Sequence, residues 1–266
     1  EAGFGADMGA ERFFNIKCRV SGLVPDAAVL VATVRALKAH TDKYRVVAGK
    51  PLPAELLVEN PDDVREGAAN LRKQIENVKV HGVSPVVAVN AFPADHESEL
   101  QAIREVAESL GARVAICTHY ADGGAGATDL ARAVADACDE PSTFEFLYPD
   151  RAPLRRKIST VAERIYGAAD VTYSDAASTQ IDAFEELGMG RLPVCIAKTH
   201  LSISGDPKLK GAPTGHTLQV REVRASHGAG FVYPICGDMA TMPGLGSAPA
   251  AESIDLDDQG NVVGLF

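Results

Sequence analysis

Three short runs of small and β-branched residues, separated by two amphipathic stretches, constrain this chain more than any other feature. Residues 27–33 (AAVLVAT), 85–90 (PVVAVN) and 113–120 (RVAICTHY) are largely without the polar alternation of a half-solvated strand. Such runs read as strands buried on both faces of a parallel sheet. Between the first two, Val64, Ala68, Leu71, Ile75 and Val78 recur at steps of 4, 3, 4 and 3 along one face of a helix. Asp62 or Asp63 can cap its start, and Gly82 sits where it stops. Leu100, Ile103, Val106, Ala107 and Leu110 place a second helix between the later runs, closed by Gly111. Strand, helix, strand, helix, strand means parallel α/β, because parallel neighbours need a covering crossover.

Leu130, Val134 and Cys138 mark a third helix, Leu154, Ile158, Val161 and Ile165 a fourth, and Ile181, Phe184 and Leu187 a fifth. Beyond Arg191 the pattern changes. Residues 193–198 (PVCIAK) read as another buried strand, 216–224 (HTLQVREVR) partly alternate as a one-sided strand does, and Pro and Gly become frequent over 234–249. The predicted class is therefore α/β: parallel-sheet, Rossmann-like βαβ units, then a smaller mixed α/β C-terminal domain.

The length of 266 residues suits about two domains, and 46% apolar with 23% charged residues suffices for a large core. Lys and Arg number 26 against 36 Asp and Glu, a net charge of −10 that disfavours nucleic acid and anionic membranes as partners. No apolar run approaches the ~20 residues of a membrane span, and the N-terminus lacks a secretory signal, so a cytoplasmic location is expected. Cys18, Cys117, Cys138, Cys195 and Cys236 form no CxxC pair, and the seven His show no metal-binding spacing. Most of the thiols are expected in the core, and no metal site is expected.

In parallel α/β sheets, ligands collect at the carboxyl ends of strands. Asn90 to Asp95 leave the second run there; Asp95 reads as a helix cap, whereas Phe92 can stack on a flat ligand. After the third run come Tyr120 and the Gly-rich turn 122–126 (DGGAG), either a phosphate cradle or a flexible loop. Phe92 and Tyr120, on consecutive strand ends, can sandwich a planar heterocycle. Residues 3–14 (GFGADMGAERFF) allow close backbone approach to a nucleotide, although no GxxxxGK[ST] occurs. Lys198 and Thr199 can bind an anion or simply reach solvent.

Residues 1–19, 29–38, 70–83, 87–93 (VAVNAFP), 193–206 (PVCIAKTHLSISGD), 239–245 (MATMPGL) and 261–266 together resemble formate–tetrahydrofolate ligase. The resemblance implies that ATP, with magnesium, phosphorylates formate, and that the amine of tetrahydrofolate attacks formyl phosphate to give 10-formyltetrahydrofolate, ADP and phosphate. It divides the chain into the C-terminal part of a nucleotide-binding domain (1–80), a folate-binding α/β domain (81–170) and a mixed α/β C-terminal domain (171–266). It assigns Phe92 and Tyr120 to pterin stacking, Asn90 and Ile116 to the same pocket, and Phe4, Gly5, Ala6, Asp7, Gly9 and Ala10 to the nucleotide.

A monovalent cation, potassium or ammonium, and a homotetramer are further implications. Tyr120 stands where the family commonly has Trp, His96 where Thr is usual and Leu201 where Tyr is usual. The P-loop and the catalytic residues are expected in an N-terminal half outside this chain, leaving the chain inactive alone. The alternative is a noncatalytic folate-binding or assembly module derived from the same enzyme.

Overall fold

A computed structural model describes residues 2–3, 5–47, 50–237, 239, 249, 252–260 and 262–264. Phe4, most of the 239–245 motif and part of the closing 261–266 segment lie outside the described residues.

The three buried runs form one parallel sheet in the order β1 (Ala27–Ala32), β2 (Ser84–Asn90), β3 (Arg113–Cys117). Val87 and Val89 of β2 face a core shared with Leu71, Ile75 and Val78 of the helix Ala69–Lys79 and Ile103 and Val106 of the helix Glu97–Ser109. Ala88, Ala115 and Cys117 point to the other face and meet Leu130 of the helix Thr128–Cys138. The sheet centre is thus covered on both sides, as its sequence requires. β1 departs from that expectation. Leu30 and Ala32 are buried, but Val29 is 44% and Val31 71% exposed: among the described residues β1 pairs only with β2, and the helix Thr128–Cys138 that reaches it leaves both valines open.

Local chemistry corrects several predicted boundaries. The first crossover is two helices, Pro61–Gly67 and Ala69–Lys79, and Asn60, not Asp62 or Asp63, caps the first by accepting from Asp63 N at 3.1 Å. Pro61 then fills the first position, where a missing N–H costs nothing. Asp63 is instead used by Lys43 and Tyr44. Asp95 does not cap the next helix either; its Oδ2 accepts from Phe92 N at 2.9 Å and closes the loop, leaving His96 at the N-cap.

β3 ends at Cys117, not at Tyr120. Thr118 N donates to Gly126 O at 3.0 Å, Thr118 Oγ1 donates to Asp122 Oδ2 at 2.7 Å, and residues 119–122 form a helical turn. Two predicted core positions are also surface positions: Cys138 is exposed, with Ala137 buried in its place, and Leu187 is exposed beyond the helix Asp175–Glu186. The other four cysteines are buried free thiols.

The second core gathers Leu154, Ile158 and Val161 of the helix Leu154–Arg164 around a mixed sheet. Its strands are β4 (Asp170–Tyr173), parallel to β5 (Thr217–Ser226), and β6 (Phe231–Cys236), antiparallel to β5. Residues 193–198 run parallel to β6, tied at Val194↔Val232 and Ala197↔Ile235, and this pairing stops short of a full strand. The predicted class, parallel βαβ units followed by a mixed α/β part, is the observed architecture. Among the described residues, no helix is long and apolar enough to cross a membrane.

Candidate functional site

At the carboxyl end of β1 a cavity of about 220 Å³ opens between the turn into the first helix (Ala6–Arg12) and the helices that follow. Gly5, at φ +72°, turns the chain so that Ala6 and Asp7 face this space. Gly9 permits the turn to close, since a Cβ there would stand 2.7 Å from Ala2 O. Thr33, His40, Asn70, Gln74, His200 and Ser202 add polar groups to a wall that includes Leu30, Ala32, Ala36 and Leu37. Whole small-molecule pockets run about 300–1,000 Å³, so this one has room for a single heterocycle with polar edges.

Of the nucleotide candidates, Gly5, Ala6 and Asp7 therefore line the cavity. Ala10 lines a separate groove beside β1, and Phe4 is not described. Lys198 does not reach solvent: it is fully buried, its Nζ 2.6 Å from Asp7 Oδ2 and donating to Ser202 O at 2.6 Å. Thr199 closes its own turn, Oγ1 accepting from Leu201 N at 3.2 Å.

The folate candidates occupy the neighbouring edge. Asn90, half-buried, is the last residue of β2 and lies opposite Cys117; Ile116 packs toward the first core. Phe92 is 37% exposed, enough to offer a ring face, while Tyr120 is 89% exposed. No ring of the described residues pairs with Tyr120, so the structure does not bring the two aromatics together as a closed sandwich. Phe92 instead carries the Arg35 guanidinium 4.1 Å from its ring centroid, with Arg35 Nε 3.9 Å from Asp95 Oδ1.

Sequence reasoning missed Arg35, although it follows the carboxyl end of β1 just as Phe92 follows that of β2. It belongs to the short helix Val34–Lys38, capped by Thr33 Oγ1, which accepts from Ala36 N at 3.1 Å. Ala36 and Leu37 of this helix line the cavity while Arg35 reaches Phe92, so one turn of helix separates the two candidate sites. Its position is fixed by Lys38, fully buried, whose Nζ donates to Glu99 Oε1 at 2.8 Å and Val58 O at 2.6 Å. Burial opposes ionisation of Glu99, but bonds from Lys38, Asn60 N and His96 N outweigh it and hold that carboxyl below its ordinary value.

Behind the cavity lies a second group the sequence did not disclose. Glu11, one turn beyond Asp7, is buried; Oε1 accepts from Ile196 N at 2.8 Å and Oε2 meets Tyr166 Oη. Burial pushes this carboxyl up to about 8, with a further rise from Asp7, while Tyr166, Ile196 N and Lys198 act in the opposite sense. Burial also raises Tyr166 well above the ordinary phenol value. The signal available was the acidic pair at positions 7 and 11, one helical turn apart on one face. Among the described residues, no group of three His, Cys, Asp or Glu side chains is arranged to hold a metal ion.

Comparison with known proteins addresses the whole chain. The family model for formate–tetrahydrofolate ligase matches residues 1–266. Formate–tetrahydrofolate ligases of Saccharopolyspora erythraea and Cutibacterium acnes are 68% and 61% identical over all of this chain, and ligase 3 of Rubrobacter xylanophilus is 63% identical. This chain covers 47%, 47% and 48% of those proteins, so it spans about half the length of the curated relatives it matches. With its full length matched by the family model, the chain belongs to the formate–tetrahydrofolate ligase family.

Proposed function

We propose that this chain supplies the base-binding cavity and the folate-binding edge of an ATP-dependent enzyme that joins formate to tetrahydrofolate in one-carbon metabolism. The carrying observation is that the two candidate sites flank one helix, Val34–Lys38, at the carboxyl end of the parallel sheet. A ligase that forms a mixed anhydride and passes its acyl group to an amine needs nucleotide and acceptor close together, since positioning removes much of the barrier.

On this reading Gly5, Ala6 and Asp7 approach the purine, with Asp7 able to accept a hydrogen bond from an exocyclic amine. Phe92 stacks on the pterin with its outer face, its inner face being held by Arg35. Tyr120 closes over the pterin from its exposed turn, and Asn90 and Ile116 complete that pocket. Formate and the γ-phosphate would react at groups supplied by the part of the enzyme that this chain does not span, because phosphoryl transfer requires a cradle of cations and backbone donors and the sequence has no GxxxxGK[ST]. Magnesium would accompany ATP. The domain roles over 1–80, 81–170 and 171–266, cytoplasmic location, homotetrameric assembly and response to a monovalent cation belong to this proposal as implications of family membership.

Phe92→Ala in the full-length enzyme is the decisive substitution. Phe92 is partly exposed and packs on one cation, so its loss should cost well under the about 3–5 kcal/mol of a fully buried Phe while weakening folate binding by tenfold or more. The Michaelis constant for ATP should stay within about twofold of its original value. A large fall in melting temperature with unchanged folate affinity would refute the stacking role. The noncatalytic alternative predicts folate binding without ADP release even in the natural full-length protein.

A further inference from the structure

The helix Ala6–Arg12 holds residues 193–204 at two points one turn apart. Asp7 Oδ2 is 2.6 Å from Lys198 Nζ, and Glu11 Oε1 accepts from Ile196 N at 2.8 Å. Tyr166 joins the two contacts, its hydroxyl on Glu11 Oε2 and its ring face 4.7 Å from the Lys198 ammonium. Lys198 in turn donates to Thr199 O at 3.2 Å and Ser202 O at 2.6 Å, and His200, Ser202 and Ile203 of this segment line the cavity. The placement of that wall against Gly5–Asp7 therefore depends on what Glu11 and Asp7 hold.

Charge counting fixes the state in which this works. Glu11, Asp7 and Lys198 are all buried, with two carboxyl groups for one ammonium. The remaining titratable groups around Glu11 are Tyr148, Tyr166, Cys195 and Cys236, each raised by burial and so neutral near pH 7. Lys198 is taken up by its ion pair with Asp7, so a carboxylate at Glu11 would add a buried negative charge with no cation of its own, which is costly. Burial accordingly holds Glu11 up to about 8.

We propose that Glu11 is a positioning residue which, as a neutral carboxyl, fixes the 193–204 wall of the cavity, and that its ionisation loosens that wall. The charge count applies to the cavity itself; the consequence for a nucleotide rests on the reading of the cavity as a base-binding site.

The test uses the full-length protein, its Glu11→Gln variant and its Tyr166→Phe variant. Amide hydrogen exchange of residues 193–204 is compared between proteins at equal pH from 6.5 to 9.5, and ATP affinity is titrated in parallel. Gln keeps an acceptor for Ile196 N and cannot ionise. Protection in the original protein relative to Glu11→Gln should therefore fall roughly tenfold between pH 7 and 9. Tyr166→Phe removes a bond that favours the carboxylate and should move this fall to higher pH.

ATP affinity should follow the same profile in the original protein and be flat in Glu11→Gln. Equal protection profiles in the original and the Gln variant overturn the proposal, as does a difference between them that stays constant from pH 7 to 9. If ATP binds at no pH while the protection profiles behave as expected, the positioning role stands and the base-binding reading fails.

Discussion

Acidification should destabilise this protein through His81. The imidazole is 1% exposed, lies 4.3 Å from the Phe14 ring and 6.0 Å from the Phe144 ring, and directs Nδ1 at Glu145 O, 3.2 Å away. A carbonyl only accepts, so Nδ1 carries the proton and the neutral ring is satisfied. Burial lowers His81 from 6.5 to about 4; the Glu145 carbonyl opposes this, while Arg164 and Arg19 reinforce it.

A base lowered on folding contributes stability that is full above its unfolded value and lost as pH falls through its folded value. The whole window is worth about 3 kcal/mol, of which roughly 2.5 disappears between pH 7.5 and 4.5. Glu11, raised on folding, has the opposite slope, stabilising below its unfolded value and losing that contribution as pH rises through about 8. The assay is therefore urea unfolding of the original protein and His81→Phe at both pH values. Phe keeps the ring contacts and forfeits one hydrogen bond, about 1 kcal/mol at either pH, and Glu11 is common to both proteins. Between pH 7.5 and 4.5 the original should lose about 2.5 kcal/mol more than the variant. Parallel losses would refute the claim that His81 is buried neutral.

Gly67→Ala should destabilise by about 1–3 kcal/mol, because the added Cβ would fall 1.8 Å from Leu37 O and drive back the helix that separates the two candidate sites. Calorimetry checks this, and a gain of up to about 1 kcal/mol, the helix-propensity expectation for an open position, would contradict the close approach. Tyr120→Trp in the full-length enzyme should retain or modestly tighten folate binding, by less than the about 0.5–1.5 kcal/mol that a whole aromatic pair contributes, since the indole offers more stacking area at the same exposed turn. Michaelis constants for folate and ATP decide it: a change confined to ATP would place Tyr120 in the wrong site.

What the sequence disclosed and what it concealed divide along a physical line. Apolar periodicity reports which face of an element is dry, so Leu71, Ile75 and Val78, or Leu154, Ile158 and Val161, were legible without any partner in view. Edge position is not written in a strand's own residues. Nothing in AAVLVAT distinguishes a central strand from β1, which pairs only with β2 among the described residues and leaves Val31 exposed. Residues 118–120 read as strand because Thr118 and Tyr120 favour extended backbone and continue β3, but a hydroxyl four residues from a carboxylate and a glycine at 126 closed them into a turn.

Buried cations were the least legible. Lys38 and Lys157 drew no expectation from the sequence and Lys198 was expected to bind an anion or reach solvent, yet each is fully buried against acceptors drawn from other parts of the chain: Glu99 and Val58 O, Gly190 O and Leu192 O, Asp7 and Ser202 O. A buried ammonium is tolerable only when such acceptors converge on it, and convergence is a property of the assembled fold. Two of these three lysines brace the candidate sites. Lys38 holds the helix between them and Lys198 the wall of one, so the residues that set the geometry of the sites were concealed while those expected to touch the ligands could be named.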